Sequence, residues 1–247
     1  MNKNYIIMSY HKFSYPKQIL FGLLLLIFTI IYSGCPDPVE STDVDQTKIY
    51  QIYSAEYDAE FLDVISTAEF RMNTSSGSFV KLTGNSYVKL NDQTMSEQNF
   101  LNYLNYVYHL TNSANLNTYK WEYKNGSGTV FTNETNLSTV VITLQNIPDT
   151  IHKTQNYTFS WNKAIAAGET VTLELSYSDS VLTSIRSTAT GTTSVVISSS
   201  TFQQYPSGTI KVKAKKNDQL NTQQNNPVGG IIKRIYWSTA KTFVMIP

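Results

Sequence analysis

Residues 118–133 read TYKWEYKNGSGTVFTN. Tyr119, Trp121 and Tyr123 alternate with Lys120, Glu122 and Lys124. A period of two places the three rings on one face of a strand and the charged side chains on the other. Asn125-Gly126-Ser127-Gly128 follows, a run of residues that accept the left-handed backbone a tight reversal demands. Residues 129–133 then supply a second short strand. The stretch predicts a β-hairpin whose aromatic face packs inward, and it sets the style for the rest of the chain.

The same signals recur on both sides of it. Residues 50–55 and 67–72 read as strands, and residues 79–82 and 87–90 flank a turn at Gly84-Asn85. Further on, Tyr157, Phe159 and Trp161 alternate with Thr158 and Ser160; Val171, Leu173, Leu175 and Tyr177 alternate with Thr172, Glu174 and Ser176. Ile210, Val212 and Ala214 alternate with Lys211, Lys213 and Lys215, and residues 231–235 and 242–246 give the last strands. Short strands at roughly ten-residue spacing, punctuated by turns, predict an all-β protein of one or two immunoglobulin-like antiparallel β-sandwich domains. Ile147-Pro148-Asp149 reads as a boundary, giving expected domains at 48–148 and 149–247. One segment, 96–110, carries Asn99, Asn102 and Asn105 at every third position, which predicts a short helical turn leading into a strand.

The amino-terminal segment is of another kind. Residues 1–18 carry Lys3, Lys12 and Lys17 and no acid, and residues 19–31 read ILFGLLLLIFTII. A basic start, a short apolar run and small residues after it form the pattern of a secretory signal peptide. The apolar run is short of the ~20 residues a spanning helix needs. Ser33 and Gly34 stand directly before Cys35, the only cysteine of 247 residues. This resembles the lipobox of bacterial lipoproteins, with Tyr32 and Pro36 as departures from the usual pattern. The resemblance implies cleavage after residue 34 and a lipid on Cys35, and so a partner in the membrane. Residues 35–47 hold four acids and no base, and residues 36–47 (PDPVESTDVDQT) lack periodicity, so 35–47 are expected to form an acidic flexible tether. Lipobox, acidic tether and strand-rich remainder together resemble Bacteroidota-type outer-membrane lipoproteins. That resemblance implies a lipid-anchored envelope protein at the cell surface or the periplasmic face.

Charge sorts by position. Removing residues 1–34 leaves 16 Lys and Arg against 18 Asp and Glu, a balance that disfavours nucleic acid as a partner. Residues 48–148 carry six bases and nine acids; residues 149–247 carry ten bases and five acids. The chemistry-bearing patterns are sparse. His109 and His152 are distant in sequence, Cys35 is committed to lipid, and no phosphate-cradling glycine loop or calcium loop occurs, so no cofactor, metal or catalytic residue is expected. Glu56, Asp58, Glu60 and Asp63 cluster, reading first as a solvated face and only second as glycosidase-type carboxylates.

Aromatic residues remain as candidate ligand contacts, because rings stack on sugar faces. Tyr236 and Trp237 are adjacent, so a strand turns them to opposite faces and exposes one; Trp121 is a weaker candidate, since its alternating strand also suits a core. Lys211, Lys213 and Lys215 share a face, which reads either as protection of an edge strand or as an anion-binding strip. The expected role is non-catalytic binding of a glycan or other extracellular ligand, with structural, adhesion or assembly work in the envelope as the alternative.

Overall fold

The computed structural model describes residues 37–101, 103–113 and 117–247; the expected signal peptide and Cys35 lie outside the described residues. In chain order the strands are β1 (Val39–Glu40), β2 (Ile49–Asp58), β3 (Asp63–Met72), β4 (Val80–Lys81), β5 (Tyr87–Leu90), β6 (Gln93–Thr94), β7 (Ser96–Phe100), β8 (Tyr103–Leu110), β9 (Tyr119–Lys124) and β10 (Val130–Thr135). They continue as β11 (Leu144–Gln145), β12 (Thr150–His152), β13 (Tyr157–Trp161), β14 (Thr170–Tyr177), β15 (Ser180–Ser187), β16 (Ser194–Ile197), β17 (Gly208–Asn221), β18 (Gly230–Trp237) and β19 (Lys241–Ile246). The protein is an all-β sandwich. The hairpin that opened the reading is present as β9 and β10, paired from Val130↔Lys124 to Thr135↔Tyr119.

One ten-stranded sheet forms the main layer, in the order β12-β19-β17-β18-β2-β3-β8-β7, with β14 and β15 attached beside β17. Two smaller sheets complete the sandwich through shared core contacts: β10-β9-β5-β6 and β11-β13-β16. Against the first, Tyr53 stacks on Trp121 at 5.2 Å and Phe70 meets Tyr123 at 4.3 Å. Trp121 is fully buried and its indole N–H donates to Ser66 Oγ at 3.0 Å. Against the second, Phe159 meets Phe243 at 5.7 Å, with Phe202 packed beside Phe159. Each such ring contributes roughly 1.5–3 kcal/mol through its burial.

The boundary expected at residue 148 is crossed by pairing in the main sheet and in the second covering sheet, where β11 pairs with β13 (Leu144↔Trp161). β18 runs parallel to β2 over eight residue pairs, from Gly230↔Gln51 to Trp237↔Asp58. Strand β17, fourteen residues long, pairs with β14 on one side and with β19 then β18 on the other. Residues Asp37–Pro247 accordingly form one compact unit. Because β17 has neighbours on both sides, its lysines do not guard a free edge.

Two local expectations differ from the structure. The segment 96–110 is a β-hairpin of β7 and β8, not a helical turn. Leu104 and Tyr106 are buried at alternate positions, and Leu82 N–H donates to Tyr106 Oη at 2.7 Å, so packing at period two overrides the asparagine spacing. Residues 37–47 are docked and not a solvated tether. β1 pairs in parallel with β4, buried Ser41 accepts from Thr83 N–H at 2.8 Å, and Gln46 accepts from Gly126 N–H at 2.8 Å. Partly buried Val39 and Val44 add apolar contact, which with those bonds offsets the cost of ordering the segment.

Candidate functional site

The face of the main sheet turned away from the core carries side chains that the register sets out in rows. One row runs Arg186, Thr172, Lys215, Trp237, Asp58, Asp63 across strands β15, β14, β17, β18, β2 and β3. The next runs Thr170, Asn217, Ile235, Glu56, Ile65, His109. A third includes Gln219, Lys233 and Ser54. The acidic and basic halves of the sequence thus become two sides of a single face, acids on β2 and β3, bases on β14's neighbours β15 and β17 and on β18.

Ion pairs stitch the two sides together. Lys213 Nζ lies 2.8 Å from Asp58 and 3.1 Å from Glu60; Lys215 lies 3.8 Å from Glu56; Lys211 lies 3.6 Å from Asp179. Trp237 sits where they meet. Its indole N–H donates to Glu56, the Lys215 ammonium lies 4.6 Å from its ring, and Lys213 lies 5.7 Å away. Phe61, 63% exposed, projects from the β2–β3 turn with Lys213 5.2 Å from its ring, and Ile65 is 46% exposed. Phe61, Ile65 and Trp237 line a cavity of about 150 Å³ whose remaining walls are Glu56, Asp58 and Asp63. The cavity sets apolar ring surface beside carboxylate oxygens, in a volume below the roughly 300–1,000 Å³ of typical small-molecule sites.

The candidates from the sequence fall on both sides of the sheet. Trp237 and Lys213 and Lys215 come together here with the acids Glu56, Asp58, Glu60 and Asp63. Lys211 stands at the far end of the lysine row. Tyr236 points inward, buried and stacked on Tyr57 at 5.4 Å, and Trp121 is core, so neither offers a ligand surface. Lys211, Lys213 and Lys215 are each matched by a carboxylate, which removes the uncompensated charge an anion strip along them needs. His109 faces Asp63 at 3.6 Å, and among the described residues no three His, Cys, Asp or Glu side chains are grouped to hold a metal ion. Ile65, Arg186 and Lys233 carry no local sequence signal for this site; for Phe61 the signal is an apolar Phe61-Leu62 pair set among the acids Glu56, Asp58, Glu60 and Asp63.

A second polar cluster lies toward β8. Tyr103 donates to Glu69 at 2.7 Å, and Arg71 pairs with the same carboxylate at 3.0 Å while its guanidinium covers Phe79 at 3.8 Å. Burial, with the bond to Glu69 and its charge, pushes the Tyr103 phenol up to about 12, so it stays a donor at physiological pH.

No family model and no curated protein matches this chain. Among solved structures it is similar, at 13% identity and a TM-score of 0.22, to one from work on host cell surface retention of a 1.5-MDa bacterial ice-binding adhesin. The match covers 77% of this chain and 64% of that one, so it spans less than two thirds of the adhesin chain.

Proposed function

We propose that this is a lipid-anchored envelope protein that captures a glycan, without chemistry of its own, on the outward face of its main sheet. The observation that carries the reading is the Trp237–Phe61–Ile65 cavity with its three carboxylates. Aromatic surface is retained there beside acceptors for sugar hydroxyls, and the acids are engaged with lysines and an indole N–H, an arrangement suited to binding. Calorimetric titration of neutral oligosaccharides tests it. Phe61→Ala and Trp237→Ala should each weaken binding about tenfold, near 1.4 kcal/mol. Unchanged affinity in both variants would sink the assignment.

The anchor belongs to the same proposal. Acyl chains on Cys35 contribute about 0.8 kcal/mol per buried CH₂ and together hold the protein on a membrane. Cys35 precedes Asp37 by two positions in the sequence, and residues 37–47 are docked on the fold. A Cys35→Ala variant should move from the membrane fraction to the soluble fraction; an unchanged membrane fraction contradicts lipidation. Protease treatment of intact cells then separates the surface from the periplasmic face. An envelope-assembly role would lead if the folded part were protected until the outer membrane is opened.

A further inference from the structure

Beside the aromatic cavity, on the same face, lies a larger one of about 330 Å³ whose lining differs sharply in charge. Arg186 and Lys233 contribute two cations to its walls, and Lys215, shared with Glu56 at 3.8 Å, stands beside them. Asp218 is the one acid among its lining residues, and that carboxylate is bound by Arg234. The contrast with the neighbouring lysines is informative. Lys211 and Lys213 close on carboxylates, and Lys215 is 3.8 Å from Glu56. Among the described residues neither Arg186 nor Lys233 has a carboxylate within ion-pair distance, although both line the cavity. Thr170, Asn217 and Gln219 complete the walls with hydroxyl and amide groups, and Asn217 Oδ1 is buried without a hydrogen-bond partner.

We propose that this cavity binds the phosphate or sulfate ester group of a charged saccharide. A guanidinium presents a planar fork of donors that matches two oxygens of a tetrahedral oxyanion, and ammonium groups complement the remaining charge from other directions. The amides and hydroxyl suit the sugar hydroxyls beside the ester. A volume near the lower end of small-ligand sites fits one charged sugar residue. Lys215 lines the basic cavity and its ammonium lies 4.6 Å from the ring of Trp237, which lines the aromatic one, so the two cavities are neighbours on one face. The inference deepens the glycan-capture reading and assigns the ligand a negative charge.

The test uses the full-length protein in detergent at low ionic strength, with glucose 6-phosphate, glucose 6-sulfate, glucose and inorganic phosphate as separate calorimetric titrants. Saturable binding of the esters is expected, weakening with added salt and lost by at least about tenfold in an Arg186→Gln/Lys233→Gln double variant. Both side chains are exposed, so the thermal midpoint of that variant should match the parent. Absent binding of both esters, or binding unchanged in the double variant, overturns the site. Inorganic phosphate binding as tightly as the esters would overturn the saccharide ester as ligand. A Trp237→Ala variant separates the two claims: loss of neutral oligosaccharide binding with ester binding kept supports both. Ester binding in a parent that takes no neutral oligosaccharide would retain the oxyanion site while removing the aromatic compartment's assignment.

Discussion

Replacing Trp121 by alanine is expected to lower the stability of the folded unit by about 4 kcal/mol, the cost of deleting a fully buried tryptophan. The loss combines the stack on Tyr53, the apolar contact with the β9 neighbours and a Ser66 hydroxyl left without its indole donor. For a unit of this size that corresponds to roughly 10 °C in midpoint. Trp121→Phe should cost less, chiefly the Ser66 bond, about 1 kcal/mol plus incomplete filling. The more discriminating result concerns the other half of the sequence. Trp161 is a buried residue of β13 in the second covering sheet, yet β18 is paired along its length with β2, and β17 joins β18 to β14 and β19. Unfolding the Trp121 region would strip β18 of its partner. In a Trp237→Phe background, Trp161 emission should therefore shift its midpoint together with far-ultraviolet circular dichroism, in one transition. A biphasic melt of the Trp121→Ala variant, with Trp161 keeping its parent midpoint, would mean two independent domains.

How far the sequence carried depends on the range of the interaction concerned. Residues 118–133 specified their own pairing, because the partner strand lies one turn away and the face is marked by three aromatic rings. The alternation in 210–215 likewise told which side chains leave the core. What it could not tell was what those lysines would meet. Asp58 lies 155 residues from Lys213, and no local pattern links them. Edge protection was inferred from composition, whereas the observed neighbours of β17 are set by pairings distant in sequence. Trp121 and Trp237 show the same limit, since both stand in strands with aromatic neighbours and only the register of the assembled sheet separates core from surface. Residues 37–47 look solvated by composition, and one serine hydroxyl, one glutamine and a two-residue bridge, all with distant partners, are enough to dock them. The charge asymmetry between the halves was legible and survives as a lateral asymmetry of one face. The aromatic and basic cavities occupy its two sides.

Lys216 breaks the pattern of its own strand and supplies the second large expected effect. It follows Lys215 but points inward, 1% exposed, opposite Val171 on one side and Tyr236 on the other. Its ammonium lies 2.8 Å from Glu169, whose carboxylate also accepts from Ala166 N–H at 2.8 Å. Burial alone would raise the Glu169 carboxyl, but the bond to Lys216, the Ala166 N–H and the lysine charges hold it below its ordinary value. Glu169→Gln leaves a buried ammonium without a counter-charge and should destabilise the protein by about 3 kcal/mol. Lys216→Met should cost less, because the remaining carboxylate keeps its backbone donor and some access to water. The Glu169→Gln/Lys216→Met double variant should recover most of the loss, which a double-mutant cycle reads as strong coupling. The pH dependence follows from the depressed carboxyl. Its stabilising contribution is complete above the unfolded value of about 4.3 and is lost as pH falls toward the lower folded value. The gap in stability between the parent and Glu169→Gln should therefore narrow below about pH 4, since a protonated Glu169 and a glutamine leave Lys216 in the same state. A gap that stays constant from pH 7 to pH 3 would mean that the pair contributes through packing and not through charge.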